Sequence, residues 1–325
     1  MPAQPAITPF ALGTFAGGEH GRFPGLVLDR TVVPLTAGQW PDTRAMLADW
    51  DAAFARLCEL AAAPPEGGLA LDSLHVCAPL APIQVLQSGA NYRRHVIDII
   101  LAEERERGSM SESEALAMGE RIMDERAASG EPYIFLGSPT AICGPYDEVE
   151  LPARGEQHDW ELELAAVIGR PGRHIPREHA LEHVAGYTIV NDLTTRDLVY
   201  RPDLKAIGSD WVRSKNAPTF LPTGPWIVPA AFVADPMDLT ITLRLNGAVM
   251  QHESTSDMIF DVARLVSYAS DLVRLEPGDL LCTGSPAGNG MHHRRFLAPG
   301  DVIEGEITGL GRQRNACVAS RDRGD

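Results

Sequence analysis

Three acidic residues are the first candidates for chemistry. In DWELELAAVIG, Asp159 to Gly169, Glu161 and Glu163 are two apart, and in GYTIVNDLTTRD an apolar run stops at Asn191 and Asp192. If both runs are strands, Glu161 and Glu163 share one face while Leu162 and Leu164 share the other, and Asp192 stands at its strand's mouth. Two like charges at that spacing are costly unless water, a base or a cation lies between them. A strand wetted on one side would supply the water, and Asp192 alone would serve as a turn or helix cap. Taken together, the three make a hard oxygen set suited to Mg2+ or Mn2+ with positions left for water and substrate oxygens. Five dispersed cysteines without a CxxC pair offer no softer metal site and no disulfide frame.

A divalent ion polarises oxygen but does not choose a reaction. In GANYRRHVID, His95 and Asp98 are three apart at the start of a helical segment, a spacing that lets the carboxylate orient the imidazole as a water-activating base. Arg196, four residues after Asp192, is a candidate carboxylate clamp or one half of a helix ion pair. Lys215 precedes a Pro/Gly-rich loop, either as a surface lysine or as a stabiliser of developing oxyanion charge. LEPGDLLCTGSPAGNG closes the set, with Ser285, Gly288 and Gly290 in a tight loop able to present a hydroxyl and N–H groups to an anion. It lacks the phosphate-loop pattern, and Ser285 lacks a nucleophile elbow.

These residues need a scaffold. GRFPGLVLDRTVVPLTAG reads as a β-hairpin around Asp29 and Arg30, and Asp42 to Ala62 as one helix, giving a small accessory domain over residues 1–80. A catalytic domain over 81–325 follows. Residues 101–130, rich in carboxylates and helix formers, read as a helical lid. From IFLGSP onward, short β segments punctuated by Gly and Pro predict a mixed α/β, β-dominated assembly. The chain of 325 residues is 44% hydrophobic, enough to bury a large core. Its formal charge of -16 gives a nucleic-acid partner no electrostatic footing. With no basic-apolar leader and no membrane-length apolar run, the expectation is a cytoplasmic protein with no membrane partner.

The ordered set GANYRRH, DWELELAAVIG, GYTIVNDLTTRD, the Lys215-to-Trp226 run, STSDMIFDVARLVSY, PGDLLCTGSPAGNG and PGDVIEGEITGLG resembles the fumarylacetoacetate hydrolase family over approximately residues 85–317. That resemblance implies a β-sandwich or β-roll catalytic domain, usually dimeric, with one Mg2+ or Mn2+ at Glu161, Glu163 and Asp192. It gives His95 the water-activating role, with Asp98 where the family commonly has Glu. Tyr92, Arg196, Lys215 and Ser285 match substrate-binding positions. The implied activity is hydrolysis of a C–C bond in an acylpyruvate or related 1,3-dicarbonyl acid. Alternatives are a 2-oxo-acid decarboxylase or hydratase on the same metal site, or a non-catalytic small-acid-binding protein. Gly137 stands where many relatives have Lys, and Val199 where some hydrolases have Gln.

Overall fold

The computed structural model describes residues 8–17, 21–35, 40–204, 206 and 208–320. The hydrophobic strand at the centre of the molecule, Leu162–Ile168, is buried along its whole length and pairs antiparallel with Val184–Asn191 on one side and Leu280–Cys282 on the other. Its even positions Leu162, Leu164, Ala166 and Ile168 enter one core, and Ala165 and Val167 enter a second. A strand covered on both faces explains why AAVI does not alternate with polar residues. It also excludes the one-sided, solvated edge strand.

The six-stranded sheet runs in the order Val228–Pro229, Val184–Asn191, Leu162–Ile168, Leu280–Cys282, Val85–Gly89, Tyr133–Gly137. The even face of Leu162–Ile168 packs on a five-stranded sheet ordered Ala248–Ser254, Thr240–Leu245, Val302–Ile307, Gly311–Ala319, Val149–Leu151. Ile241, Leu243, Ile303 and Ile307 fill the space between them together with helix Val262–Leu272. The result is the mixed, β-dominated architecture that the turn-punctuated sequence predicts.

The opposite face is covered from the N-terminus. The hairpin Arg22–Leu28 and Thr31–Pro34 turns at Asp29, whose φ of 53° is left-handed. It joins Ala11–Ala16, His75–Cys77 and Leu69–Ala70 in a five-stranded sheet. Leu12 and Ile227 exchange backbone hydrogen bonds of 2.9 and 2.7 Å, and Leu12, Leu26, Met46, Leu47 and Leu57 share a core with Ala165, Val167 and Leu280. The described residues among the first 80 therefore close the six-stranded sheet's second face. The single helix expected over Asp42–Ala62 is two, Thr43–Leu47 and Trp50–Ala62, the first capped by Asp42 accepting from Ala45 N–H.

Two helices, Arg93–Arg107 and Glu112–Ser129, form a hairpin beside the sheet. Gly108 in the left-handed region ends the first, and a Ser111/Glu114 capping box starts the second. Ala115 and Met123 are buried, and Gly119 lies against Ile97 and Ile100. Of the segment expected to act as a lid, Leu101, Ala102 and Arg105 line a cavity. No described helix is long and apolar enough to cross a membrane.

Candidate metal centre and active site

The carboxylates of Glu161, Glu163 and Asp192 converge, each offering an oxygen within 4.8 Å of the others, and all three residues are buried. Strand register brings them together. Glu163 sits opposite Val190, Asp192 N–H donates to Glu161 C=O (2.9 Å), and Asn191 Oδ1 accepts from Glu161 N–H (2.9 Å). Glu163 accepts from Gly284 N–H at 2.8 Å, so the CTGSPAGNG loop touches the cluster through its backbone. Gly288 in that loop has φ +97, and a Cβ there would stand 2.1 Å from Met250 O. Glycine is required on both counts.

Lys215 and Arg196, expected to face the substrate, are turned into this cluster. Lys215 Nζ donates all three of its protons, to Glu161 Oε2 (2.7 Å), Asp192 Oδ2 (2.6 Å) and Thr194 Oγ1 (2.7 Å). Arg196 donates from Nε to Asp159 Oδ2 (2.8 Å) and from a terminal nitrogen to Glu161 Oε1 (2.5 Å). Stacked rings of Phe135 and Trp211, centroids 4.8 Å apart, stand over Lys215 at 5.8 Å each. Asp159 and this aromatic roof escaped the sequence reading. Asp159 had a signal, lying two residues before Glu161 on the same face, and its Oδ1 also caps the short helix Gly290–His293 through Gly290 N–H (2.5 Å).

The charges divide unevenly. Burial opposes ionisation of Glu161, but Arg196 and Lys215 hold it down at about 2. Burial and then the Asp192 and Glu161 carboxylates push Glu163 well up, and burial lifts Asp192 to about 6 against the pull of Lys215. Asp192 Oδ1 is buried with no hydrogen-bond partner. Counted as fully ionised, the four carboxylates Asp159, Glu161, Glu163 and Asp192 face two side-chain cations and are two positive charges short, which is why burial and mutual repulsion hold protons on Glu163 and Asp192. A buried acceptor without a donor, three converging oxygens and that deficit fit a divalent cation.

Outside the cluster lies a cavity of about 380 Å³, with His95, Asp98, Gln157, Asn289, His292 and Arg294 among its polar lining and Ile99, Leu101, Met291 and Phe296 among its apolar lining. His95 is pushed down to about 4, chiefly by burial, with Glu161 opposing and Arg196, Lys215 and His292 assisting. It is therefore uncharged at neutral pH. The expected dyad is not formed: Asp98 Oδ2 pairs with His292 Nδ1 at 3.6 Å, and no hydrogen bond joins Asp98 to His95. A spacing of three places both side chains on the cavity side of the helix. The aspartate is one methylene shorter than a glutamate, and His292 stands across the cavity to take it.

Tyr92 is buried with its hydroxyl unpartnered. Ser285 is occupied within its own loop, its hydroxyl accepting from Gln251 (3.0 Å) and Asn289 (3.4 Å) and donating to Pro286 C=O (3.2 Å). Val199 is buried beside Arg196 and carries no polar group to the site.

Residues 84–318 match the family model described as fumarylacetoacetate (FAA) hydrolase C-terminal. A 2,4-didehydro-3-deoxy-L-rhamnonate hydrolase from Sphingomonas sp. (strain SKA58) is 42% identical over 198 residues, 60% of this chain and 68% of that protein. The human protein named oxaloacetate tautomerase FAHD2B, mitochondrial, is 42% identical over 183 residues, 56% of this chain and 57% of its own length, so the chain spans little more than half of it. Among solved structures, a fumarylacetoacetate hydrolase from Exiguobacterium antarcticum superposes with a TM-score of 0.74 at 29% identity, covering 96% of this chain and 100% of that one. The expectation of a cytoplasmic protein is corrected by these relatives, several of which are named as mitochondrial. The absence of a secretory leader or membrane span in a sequence does not address delivery to an organelle. Family model, whole-chain superposition and the convergence of Glu161, Glu163 and Asp192 agree, and the chain belongs to the fumarylacetoacetate hydrolase family.

Proposed function

We propose that this chain is a divalent-metal-dependent hydrolase that cleaves a C–C bond in an acylpyruvate or related 1,3-dicarbonyl acid, releasing pyruvate or a similar 2-oxo acid. The observation that carries the reading is a buried three-carboxylate cluster with His95 bounding the cavity beside it. Bound at Glu161, Glu163 and Asp192, Mg2+ or Mn2+ supplies Lewis-acid stabilisation of negative charge building on the substrate's oxygens. The remaining work falls to the chain's own side chains. His95 accepts the proton of the attacking water. Lys215 and Arg196 keep Glu161 ionised, and Lys215 turns an N–H to a substrate oxygen by releasing Thr194. Tyr92 offers a buried O–H to the substrate, and Ile99, Leu101, Met291 and Phe296 exclude water from its distal part.

The pairing of Asp98 with His292 favours a second reading, a tautomerase. Keto–enol exchange needs a proton acceptor and charge stabilisation but no oriented attacking water, and a His95 without a carboxylate partner suffices for it. Incubation with an acylpyruvate and oxaloacetate panel in Mg2+ or Mn2+, followed by mass spectrometry and ultraviolet monitoring of the enol, separates the reactions. Two acids from one substrate support hydrolysis. Enol loss at unchanged mass on every substrate overturns it in favour of tautomerisation, and loss of CO2 or retention of added water in a single product overturns it in favour of decarboxylation or hydration.

A homodimer is proposed on the same footing. Leu136, Leu204 and Val212 are exposed and line one shallow surface cavity, an apolar area suited to a second copy. A monomeric mass in sedimentation at micromolar concentration would remove that reading.

A further inference from the structure

Asp159 is fully buried on the short strand His158–Asp159, two residues before Glu161, and both of its carboxylate oxygens are occupied. Oδ1 accepts from Trp160 N–H (2.7 Å) and Gly290 N–H (2.5 Å), and Oδ2 from Met291 N–H (3.3 Å) and Arg196 Nε (2.8 Å). The turn that supplies two of these donors is fastened to the same stretch of chain. Trp160 Nε1 donates to Gly288 C=O (3.0 Å), Asn289 Nδ2 to Trp160 C=O (3.1 Å) and Leu297 N–H to His158 C=O (2.7 Å). A Cβ at position 290 would stand 2.7 Å from Asp159 Oδ1, so the two segments meet without slack. Asp159 is a fixed acceptor.

That fixity decides what Arg196 can do. A guanidinium presents Nε and the terminal nitrogen beside it as one edge that fits both oxygens of a single carboxylate. Here the edge is divided between two residues, Nε going to Asp159 Oδ2 and the terminal nitrogen to Glu161 Oε1 (2.5 Å). Glu161 therefore receives one bond from Arg196 and one, on Oε2, from Lys215 (2.7 Å). We propose that Asp159 is a positioning residue of the carboxylate cluster: by holding Nε it confines Arg196 to a single bond with Glu161 and leaves that carboxylate lone pairs to present to a cation. The groups around a carboxylate ligand set how it meets its ion. Without the Asp159 carboxylate, Nε turns to Glu161 as well, and the two-pronged guanidinium competes with the ion for the same oxygens. The inference rests on the reading of Glu161, Glu163 and Asp192 as a divalent-ion site and holds whichever reaction follows.

The test is Mn2+ binding to the full chain, by calorimetry and by the electron paramagnetic resonance of the ion, with thermal melting in EDTA alongside. Asp159→Asn keeps the size of the side chain but sets an N–H group or a neutral oxygen against Arg196, and is expected to weaken Mn2+ by about tenfold or more. In an Arg196→Gln background no guanidinium remains to turn, and Asp159→Asn is expected to cost less than about twofold. Equal loss in both backgrounds would be the through-space effect of removing one charge, and overturns the proposal. An Asp159→Asn protein that melts lower in EDTA yet binds Mn2+ as wild type does shows a purely structural role and also overturns it. Asp159→Ser serves if Asp159→Asn does not fold, and Arg196→Lys, a point charge that cannot grip a carboxylate with two prongs, if Arg196→Gln does not; the expectations are the same. Glu163→Gln in parallel distinguishes the two levels. If it binds Mn2+ normally, the metal-centre reading itself fails; if it loses the ion while the Asp159 variants keep it, only the role of Asp159 fails.

Discussion

Replacing Glu163 by glutamine separates the work of the carboxylate cluster from the stability of the fold. Glu163 has one hydrogen bond, from Gly284 N–H, and no cationic partner, whereas Glu161 has Arg196 and Lys215 and Asp192 has Lys215. A second negative charge no more than 4.8 Å away costs about 3 kcal/mol at an effective dielectric constant near 20. Glutamine keeps the acceptor for Gly284 and removes the repulsion. In EDTA at pH 8, Glu163→Gln is therefore expected to be more stable than wild type by up to ~3 kcal/mol, or roughly 4 °C in melting temperature. The sign with pH follows from the raised folded-state pKa of Glu163. Below the ordinary glutamate range both states of the wild-type protein are protonated there, and the two proteins melt alike. As pH rises through the folded value, wild type loses stability that the variant keeps. Adding Mg2+ or Mn2+ at about 100 times its Kd raises wild type by about 2.7 kcal/mol and leaves the variant nearly unmoved. Thermal melts at pH 4.5 to 8 with and without the ion read all of this. A variant less stable than wild type in EDTA at pH 8, or one stabilised equally by the ion, would refute the reasoning.

His95→Ala is expected to lower turnover roughly 10²–10⁴-fold with Mn2+ affinity within a few-fold of wild type; unchanged steady-state turnover would remove it as the base. Asp98→Asn is expected to change turnover only a few-fold, because Asp98 serves His292; a loss matching His95→Ala would make Asp98 an orienting group after all. Lys215→Met strands Glu161 and Asp192 and is expected to cost the metal-free protein about 3–5 kcal/mol at pH 8, measured by urea unfolding, with a smaller loss at pH 5 where Asp192, lifted to about 6, takes up a proton. Equal losses at the two pH values would count against that account.

The converging carboxylates were legible because strand periodicity and residue type point the same way: DWELEL puts two carboxylates on one face, and VND ends a buried run in a third. Hydrophobic runs likewise marked the central strands. Strand Gly311–Ala319 was not legible, since its inward positions are Gln313, Asn315 and Cys317. Gln313 spends its amide on the carbonyls of Ile189, Pro222 and Gly224, and Asn315 on those of Gly144 and Asp147. Polar residues buried to satisfy backbone carbonyls break the pattern on which periodicity depends. The Asp98 pairing was missed because a spacing along one helix says nothing about His292, which arrives from nearly two hundred residues downstream.

The two-faced burial of Leu162–Ile168 also bears on how this molecule can diversify. Glu161 and Glu163 are held by a strand whose neighbours are all locked into cores, while the distal cavity wall is one side of helix Arg93–Arg107 together with the turn at Met291 to Phe296. Substitutions at Ile99, Leu101, Ala102, Arg105 or Arg294 fall on that cavity wall and leave the buried strand beside the carboxylates untouched. If the cavity takes the substrate as proposed, new substrate ranges arise by exchanging residues along a helix surface, under little constraint from the buried strands.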